Sequence, residues 1–219
     1  MAQSVYKITL LRAAPGELLT LIDNLKSRVD DYQKKGGDKP FIVRHSQGDQ
    51  WDLMIYEHIV SYKAYYGASK GLNEVFTPKH GDKFYDLIAF HESIFVDGPS
   101  YADVAQLFNK NGYFHVEMFV ALPGKQSELL TQRQMENVYL NEIGRDPNLI
   151  FTANLGGQWD SFTLGGYRDI KHYAESADIP FDVEEKAAIK AGFKGVTDIS
   201  PYLRSLIAFH HDTLGGKVE

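Results

Sequence analysis

The chain of 219 residues contains no cysteine. Disulfide bonds, thiolate metal sites and a cysteine nucleophile are therefore excluded, while the redox state of the compartment is left open. Basic residues are also in the minority, with 23 Lys and Arg against 29 Asp and Glu, for a net charge of −6. Because proteins that bind nucleic acids usually present a basic surface, we expect no nucleic-acid partner.

Long apolar runs and targeting signals are missing as well. The sequence has no stretch of about 18 apolar residues, the length that a membrane-spanning helix needs. Its first residues do not combine a basic segment with an apolar one, as a secretory signal would. We therefore expect a cytoplasmic protein without a membrane partner.

Two segments about half a chain apart repeat each other. Gly48-Asp49-Gln50-Trp51-Asp52 recurs as Gly156-Gly157-Gln158-Trp159-Asp160, so the only two tryptophans are 159 − 51 = 108 positions apart. Leu87-Ile88-Ala89-Phe90-His91 recurs as Leu206-Ile207-Ala208-Phe209-His210 at a shift of 206 − 87 = 119, which leaves 119 − 108 = 11 extra residues in the second copy. We infer two copies of one module.

Hydrophobic periodicity predicts the same order of elements in both copies. A strand is followed by a helix, a hairpin of two strands around the Gly-rich turn, a short helix and a closing strand. The order βαββαβ is that of a ferredoxin-like module, in which helices cover one face of an antiparallel sheet. We therefore predict an α+β fold of two tandem ferredoxin-like modules, residues 1–98 and 113–219, joined by a linker helix within 99–112.

The second module carries an insertion at about residues 177–200, with a predicted extra helix over Val183–Ile189. Such an insertion is either a lid over a site or a passive surface excursion, since insertions are tolerated where they leave the packing intact.

The face of each sheet that the helices leave bare needs a partner. In a tandem chain that partner is the other sheet, so we predict that the two bare faces confront each other, form an α/β barrel and enclose a pocket for a small molecule. Strand alternation assigns one set of residues to the helix side, namely Ile88, Phe90, Ile94, Ile207 and Phe209. It assigns another set to the pocket side, including Ala89, His91, Ser93, Ala208, His210 and Asp212.

The βαββαβ repeat, the Pro-Gly after the first strand of each copy and the G-x-Q-W-D hairpin resemble the dimeric α/β-barrel superfamily. The resemblance is greatest to its antibiotic-biosynthesis-monooxygenase-like (ABM-like) and NIPSNAP-like branches, and it covers nearly the whole chain. It implies a pocket between facing sheets and an enzyme of monooxygenase, isomerase or cyclase type. The superfamily also contains haem-degrading enzymes and haem-binding chlorite dismutase-like proteins, so the fold alone does not determine the function.

The predicted catalytic residues are His210, His115, Glu117 and His91. The two repeated histidines either act as general base, hydrogen-bond donor or metal ligand, or preserve a duplicated structural hydrogen bond. His115 and Glu117 are two apart in one strand and share a face, whereas the first copy has Lys7 and Thr9 there. With His210 they could poise a base or form a two-histidine, one-carboxylate metal site; we predict acid/base chemistry and no metal.

The predicted substrate-binding residues are Trp159, Ala89, Ala208 and Trp51. Each tryptophan begins a strand after a tight turn, where an indole either closes the end of the barrel or stacks on an aromatic ligand. The repeated alanines remove volume where the two sheets would meet, which favours a cavity there.

Three functions are open on these grounds. The favoured one is an enzyme that acts on a largely apolar or aromatic small molecule by histidine acid/base chemistry, without a cofactor. The alternatives are a small-molecule binding protein that performs no chemistry, and a haem protein with His91 or His210 as axial ligand. The chain is expected to be either a monomer or a homodimer, because edge strands of a tandem barrel pair within the chain or between chains.

Overall fold

The computed structural model describes residues 4–67 and 71–219. The strands are β1 Ser4–Ala13, β2 Phe41–Gln47, β3 Leu53–Ile59, β4 Ile88–Gly98, β5 Tyr113–Ala121, β6 Leu149–Leu155, β7 Ser161–Tyr167 and β8 Ile207–Lys217. The helices are α1 Leu18–Lys34, α2 Tyr62–Tyr65, α3 Lys83–Asp86, α4 Tyr101–Lys110, α5 Gln126–Glu142, α6 Ile170–Ala174, α7 Phe181–Ala191 and α8 Ile199–Arg204. Within these ranges, no helix has the length and apolar character that a membrane span requires.

The eight strands form one closed antiparallel barrel in the order β1-β3-β2-β8-β5-β7-β6-β4. Each half of this order is a ferredoxin-like sheet, β4-β1-β3-β2 and β8-β5-β7-β6. The two sheets are joined at the β2–β8 and β4–β6 seams. The predicted α+β fold, with two tandem modules whose sheets face each other as an α/β barrel, is confirmed. The module boundaries at residues 98, 112 and 113 stay a prediction.

The linker helix α4 closes one end of the barrel. The Ser100 hydroxyl accepts a hydrogen bond from the backbone N–H three residues later and so caps the start of the helix. The fully buried ring of Phe108 lies 4.5 Å from the rings of both Phe41 and Phe114, which belong to different modules. The linker therefore contributes to the core that the two sheets share.

Side chains fill the space between the two sheets. The rings of Phe151 and Phe162 stack at 4.5 Å, and the Tyr56 ring lies 6.0 Å from Phe151. The remaining inward-facing side chains include Tyr6, Ile8, Leu10, Met54, Val96, Val116 and Met118. The predicted pocket between the sheets is therefore wrong, because the inward-facing side chains of an eight-stranded barrel are large enough to fill it.

A β-bulge interrupts the last strand of each module. In β4, Ala89 is an extra residue in the pairing with β1, and in β8, Ala208 is an extra residue in the pairing with β5. A bulge places two residues of one strand opposite one residue of its neighbour, so the alternation of faces changes phase there.

The change of phase explains why the predicted faces are wrong. Ile88 and Ile207, before the bulges, pack against the helices as predicted. After the bulge in β4, Phe90 and Ile94 pack inside the barrel instead of against the helices. His91 and His210 therefore lie on the outer, helix-covered side of the barrel.

The repeated Trp-Asp motif anchors the backbone beside these bulges. The carboxylates of Asp52 and Asp160 accept hydrogen bonds of 2.8 Å from the N–H groups of Ala13 and Ala121. Both alanines lie at the points where the strand registers shift. Because a bulge disrupts the ladder, a nearby carboxylate is needed to satisfy the freed N–H group.

The insertion is part of the helical layer. Helix α7 packs the small side chains of Ala187, Ala188 and Ala191 against Tyr139 of α5. The Tyr139 hydroxyl donates a hydrogen bond of 3.0 Å to Glu184 of α7. The predicted extra helix is therefore present, and it is packed against α5.

We expect Phe108→Ala to lower the free energy of unfolding by about 3–5 kcal/mol, because it empties a buried site where α4 meets both sheets. Urea denaturation followed by circular dichroism measures this change. Phe181→Ala is the control, since that ring is 62% exposed, and it should change the free energy by less than about 0.5 kcal/mol. Equal effects of the two substitutions would contradict the role of α4 in the core.

Candidate functional site

Polar side chains converge on the outer face of the second module's sheet. Three of the four predicted catalytic residues are there, His115 and Glu117 on β5 and His210 on β8. Glu117 lies directly opposite Asp212 in the β5–β8 pairing. Helix α5, which covers this face, adds an arginine and a glutamate. The "His115 cluster" denotes His115, Glu117, Arg133, Glu136, His210 and Asp212.

The carboxylate of Asp212 lies between two imidazoles. Its Oδ1 is 3.5 Å from Nε2 of His115, and its Oδ2 is 3.1 Å from Nε2 of His210. The Asp212 side chain is 51% exposed, whereas those of His115 and His210 are only 18% and 9% exposed. The carboxylate therefore orients both rings at the edge where the cluster opens to solvent.

The same contacts shift the pKa values of the pair. Burial lowers the pKa of His115, but the contact with Asp212 and the negative charges of Asp212, Glu117 and Glu136 outweigh burial and raise it above its ordinary value. The contact with His115 is the main cause that lowers the pKa of Asp212, against partial burial. The interaction thus favours a charged imidazolium beside a charged carboxylate.

A buried arginine holds the other carboxylates in place. Oε2 of Glu117 accepts hydrogen bonds from Thr163 Oγ1 at 3.1 Å and from Arg133 Nη1 at 3.3 Å. The guanidinium of Arg133 also pairs with Glu136 and lies 4.9 Å from the centre of the Phe119 ring. Burial raises the pKa of Glu136, and the nearby charge of Glu117 raises it further, while Arg133 lowers it. The buried cation therefore stabilises two carboxylates close together.

Three donor groups of the cluster are close enough to share a metal ion. Donor atoms of His115, Glu117 and Asp212 all lie within 4.8 Å of one another. An imidazole with two carboxylates is a ligand set that suits divalent ions such as Mn²⁺, Fe²⁺ and Zn²⁺. Arg133, however, already gives Glu117 a buried cationic partner.

His91, the fourth predicted catalytic residue, lies apart from the cluster. It is exposed on the outer face of β4, in the first module, where it lines a cavity of about 370 Å³ together with Lys7 and Phe95. The structure therefore brings His210, His115 and Glu117 together but separates His91 from them.

The predicted substrate-binding residues do not join the His115 cluster either. Trp51 is 1% exposed and belongs to the packing inside the barrel. Trp159 packs at the barrel end, with its ring 5.7 Å from that of Phe209. Ala89 and Ala208 are the exposed bulge residues. Their roles in substrate binding stay predictions.

Three members of the cluster were not among the predicted site residues. Asp212 follows His210 by two positions in one strand, so the spacing places both side chains on one face without identifying Asp212 as a partner. Arg133 and Glu136 lie within a predicted helix and carry no motif. Their role depends on which side of α5 faces the sheet, which the sequence alone does not specify.

No protein-family model and no curated protein sequence matches this chain. Solved structures match its fold over nearly the whole length. An anthrone oxidase-like protein is 12% identical with a TM-score of 0.66, and the match covers 99% of this chain and 92% of that one. A candidate monooxygenase from Fusobacterium nucleatum is 14% identical with a TM-score of 0.60, covering 100% and 94% of the two chains. These neighbours are dimeric α/β barrels, and the similarity shows that this chain shares their fold.

The comparisons contradict the prediction that no cofactor is involved. A heme-binding protein from Thermus thermophilus has the same fold, with 10% identity, a TM-score of 0.52 and coverage of 99% of this chain and 92% of that one. A candidate chlorite dismutase also matches, with a TM-score of 0.57. The inference from fold to a cofactor-free protein was wrong, because this fold also accommodates haem.

We expect Asp212→Asn to lower the pKa of His115. Burial lowers this pKa and the negative charge of Asp212 raises it, so removing that charge leaves the effect of burial less opposed. An NMR titration of the imidazole signals measures that pKa. Asp146→Asn is the matched control, since Asp146 pairs with Lys110 on the surface, and it should leave the pKa of His115 unchanged.

The pair should also make stability depend on pH. Because the pKa of Asp212 is lower in the folded than in the unfolded chain, Asp212 stabilises the fold at pH values above its unfolded pKa. This stabilisation is lost as the pH falls through its folded pKa. Because the pKa of His115 is higher in the folded than in the unfolded chain, His115 stabilises the fold at pH values below its unfolded pKa. This stabilisation is lost as the pH rises through its folded pKa. The stabilisation of wild type over Asp212→Asn should therefore be greatest between these pKa values. An unchanged pKa of His115 in the variant would contradict the assigned contact.

Proposed function

We propose that the protein is an enzyme of oxidase or monooxygenase type that acts on small, largely apolar aromatic molecules, with the His115 cluster as its reaction centre. The observation that carries the proposal is the carboxylate of Asp212 between His115 and His210, at the open edge of a buried polar network. The anthrone oxidase-like and monooxygenase neighbours support this class of reaction.

His115 is the proposed acid/base group. Its Nε2 faces Asp212, and none of the hydrogen bonds among the described residues involves its Nδ1, which is therefore the nitrogen that can take a proton from a substrate. The surrounding carboxylates raise the pKa of His115 above its ordinary value, which makes the neutral imidazole a stronger proton acceptor. The Tyr173 ring, 5.6 Å from the imidazole, supplies an aromatic surface beside it.

An anthrone illustrates the chemistry that this arrangement supports. Nδ1 of His115 takes a proton from the ring CH₂ group, and the resulting carbanion is delocalised into the carbonyl group. The carbanion carbon forms a bond to molecular oxygen, and the abstracted proton passes to the outer oxygen to give a hydroperoxide. Loss of the second C–H proton then forms the second carbonyl group as the O–O bond breaks, and the hydroxide that leaves takes up this proton to become water. One anthrone and one O₂ give one anthraquinone and one water, so the reaction balances without a separate reductant.

The finer family assignment is likewise a proposal. The tandem repeat of the G-x-Q-W-D hairpin supports a relation to the ABM-like and NIPSNAP-like branches. Because one chain already closes the barrel, a homodimer would use surfaces other than the bare sheet faces. Light scattering after size-exclusion chromatography distinguishes a monomer from a homodimer.

Oxygen uptake with anthrone as substrate tests the reaction. We expect His115→Ala to lower the rate by about 100-fold or more, the usual contribution of a general base. His210→Ala should lower it less, because Asp212 keeps its contact with His115. His80→Ala, an exposed histidine outside the cluster, is the control and should keep the wild-type rate. Circular dichroism checks that each variant is folded.

Two results would overturn this proposal. An unchanged rate in His115→Ala would remove the residue from the chemistry. A wild-type protein that binds anthrone, gains thermal stability and returns it unaltered would favour the alternative of a binding protein.

Haem binding is the second candidate function. The predicted histidines differ in whether a ring nitrogen is free to bind iron. Nε2 of His210 contacts Asp212 at 3.1 Å, and its Nδ1 accepts from Arg204 at 3.3 Å, so neither nitrogen is free for iron. Nε2 of His115 faces Asp212 within a cluster of carboxylates. Among the described residues no hydrogen bond engages the side chain of His91, which lines the first-module cavity beside Phe95. His91 is therefore the residue whose imidazole would hold haem iron.

Titration with hemin tests this second candidate. We expect a Soret band for the wild-type protein that His91→Ala loses and that His80→Ala and His210→Ala retain. A wild-type protein without a Soret band after reconstitution would dismiss haem binding. A band that survives in His91→Ala would contradict the assigned ligand.

A further inference from the structure

We propose that the first module holds a separate binding site for a small aromatic carboxylate, with Lys7 as the group that binds the anion. The site is the cavity of about 370 Å³ between the outer face of the first sheet and residues 73–79. Small-molecule pockets usually measure roughly 300–1,000 Å³, so this cavity suits a ligand of one or two rings. It belongs to a different module from the His115 cluster.

Lys7 is a buried cation with few partners. Its side chain is 8% exposed, and it lines the cavity. In the described part of the chain, its ammonium group makes one hydrogen bond, of 3.4 Å, to Thr77 Oγ1. An ammonium group has three N–H donors, and buried polar groups normally have their hydrogen bonds satisfied. Donors of Lys7 are therefore left for a ligand.

The protein's own counter-ion pairs with Lys7 only at long range. Oε2 of Glu57 lies 3.5 Å from the ammonium nitrogen, and this oxygen is buried without a hydrogen-bond partner among the described residues. Burial raises the pKa of Glu57, although Lys7 and the hydrogen bond from Tyr65 lower it. A carboxylate that is costly to ionise balances the charge of Lys7 poorly, so an entering anion is favoured.

The walls of the cavity suit an aromatic body. The rings of Tyr65 and Tyr66 lie 6.1 and 6.2 Å from the ring of Phe95, and all three residues line the cavity. The ammonium nitrogen of Lys7 is 5.8 Å from the centre of the Tyr65 ring. A ligand ring against these residues places an attached carboxylate at Lys7, where the hydroxyl of Ser93 also lines the cavity. The chemistry selected is therefore a flat apolar ring with one negative charge.

Isothermal titration of the full chain with benzoate tests the site, and benzamide serves as the neutral analogue of the same shape. We expect benzoate to bind the wild-type protein about tenfold or more tightly than benzamide, since hydrogen bonds to charged groups are the stronger ones. Lys7→Met should weaken benzoate binding by about tenfold or more for the same reason. Glu57→Gln should strengthen benzoate binding, because it removes the competing carboxylate and keeps the ammonium.

Lys79→Met is the matched control. Lys79 also lines the cavity, but its side chain is 55% exposed and pairs with Glu74. Both substitutions remove one positive charge from the same cavity, so the difference between them isolates the buried contact. We expect Lys79→Met to change the affinity for benzoate by less than about threefold, as is usual for an exposed charge.

A double variant tests the same contact with both charges removed. Lys7→Met leaves Glu57 without its partner, so the double variant Lys7→Met with Glu57→Gln removes both charges and should also fail to discriminate benzoate from benzamide. A wild-type protein that does not bind benzoate, or equal losses in Lys7→Met and Lys79→Met, would overturn the proposal. Oxygen uptake plays no part in this measurement, so its outcome is independent of the proposed oxidation.

Discussion

Closure of the barrel is the constraint on which the rest of the structure depends. Once eight strands pair all the way round, no sheet edge is left open, and the inward side chains fill the interior. Rings such as Phe151 and Phe162 occupy the space between the sheets, so charged groups have no place there. The polar residues lie instead on the outer face of each sheet, beneath helices and loops. Each module therefore has its own layer in which chemistry can occur.

Local chemistry explains why the fold could be predicted from the sequence. The G-x-Q-W-D hairpin repeats because its turn and its aspartate serve the backbone: Asp52 and Asp160 satisfy N–H groups beside the bulges in both copies. Such signals depend on neighbours in the sequence and on one strand pairing. The face that each strand turns inward could not be predicted in the same way. The single extra residues Ala89 and Ala208 reverse the alternation within the last strand of each module.

Only the residues of the candidate site whose positions follow from strand geometry could be predicted. His115 and Glu117 share a face because they are two apart in β5, and this holds whichever side that face turns to. Their approach to His210 follows from the β5–β8 pairing. Arg133 contacts Glu117 only because α5 lies across the sheet at that height. That placement depends on how the helix packs, for which the sequence has no local signal.

One pair of facing positions explains why the two modules differ in their polar groups. Lys7 lies opposite Glu57 in the β1–β3 pairing, and the equivalent His115 lies opposite Gly165 in the β5–β7 pairing. A side chain at Gly165 would meet Asn148, because its Cβ would lie 2.6 Å from Oδ1. His115 therefore finds its partner on the other side, in the half-exposed Asp212 of β8. The first module buries its ion pair next to a cavity, and the second turns its pair towards solvent. The residue across the strand thus decides which kind of site each copy can form.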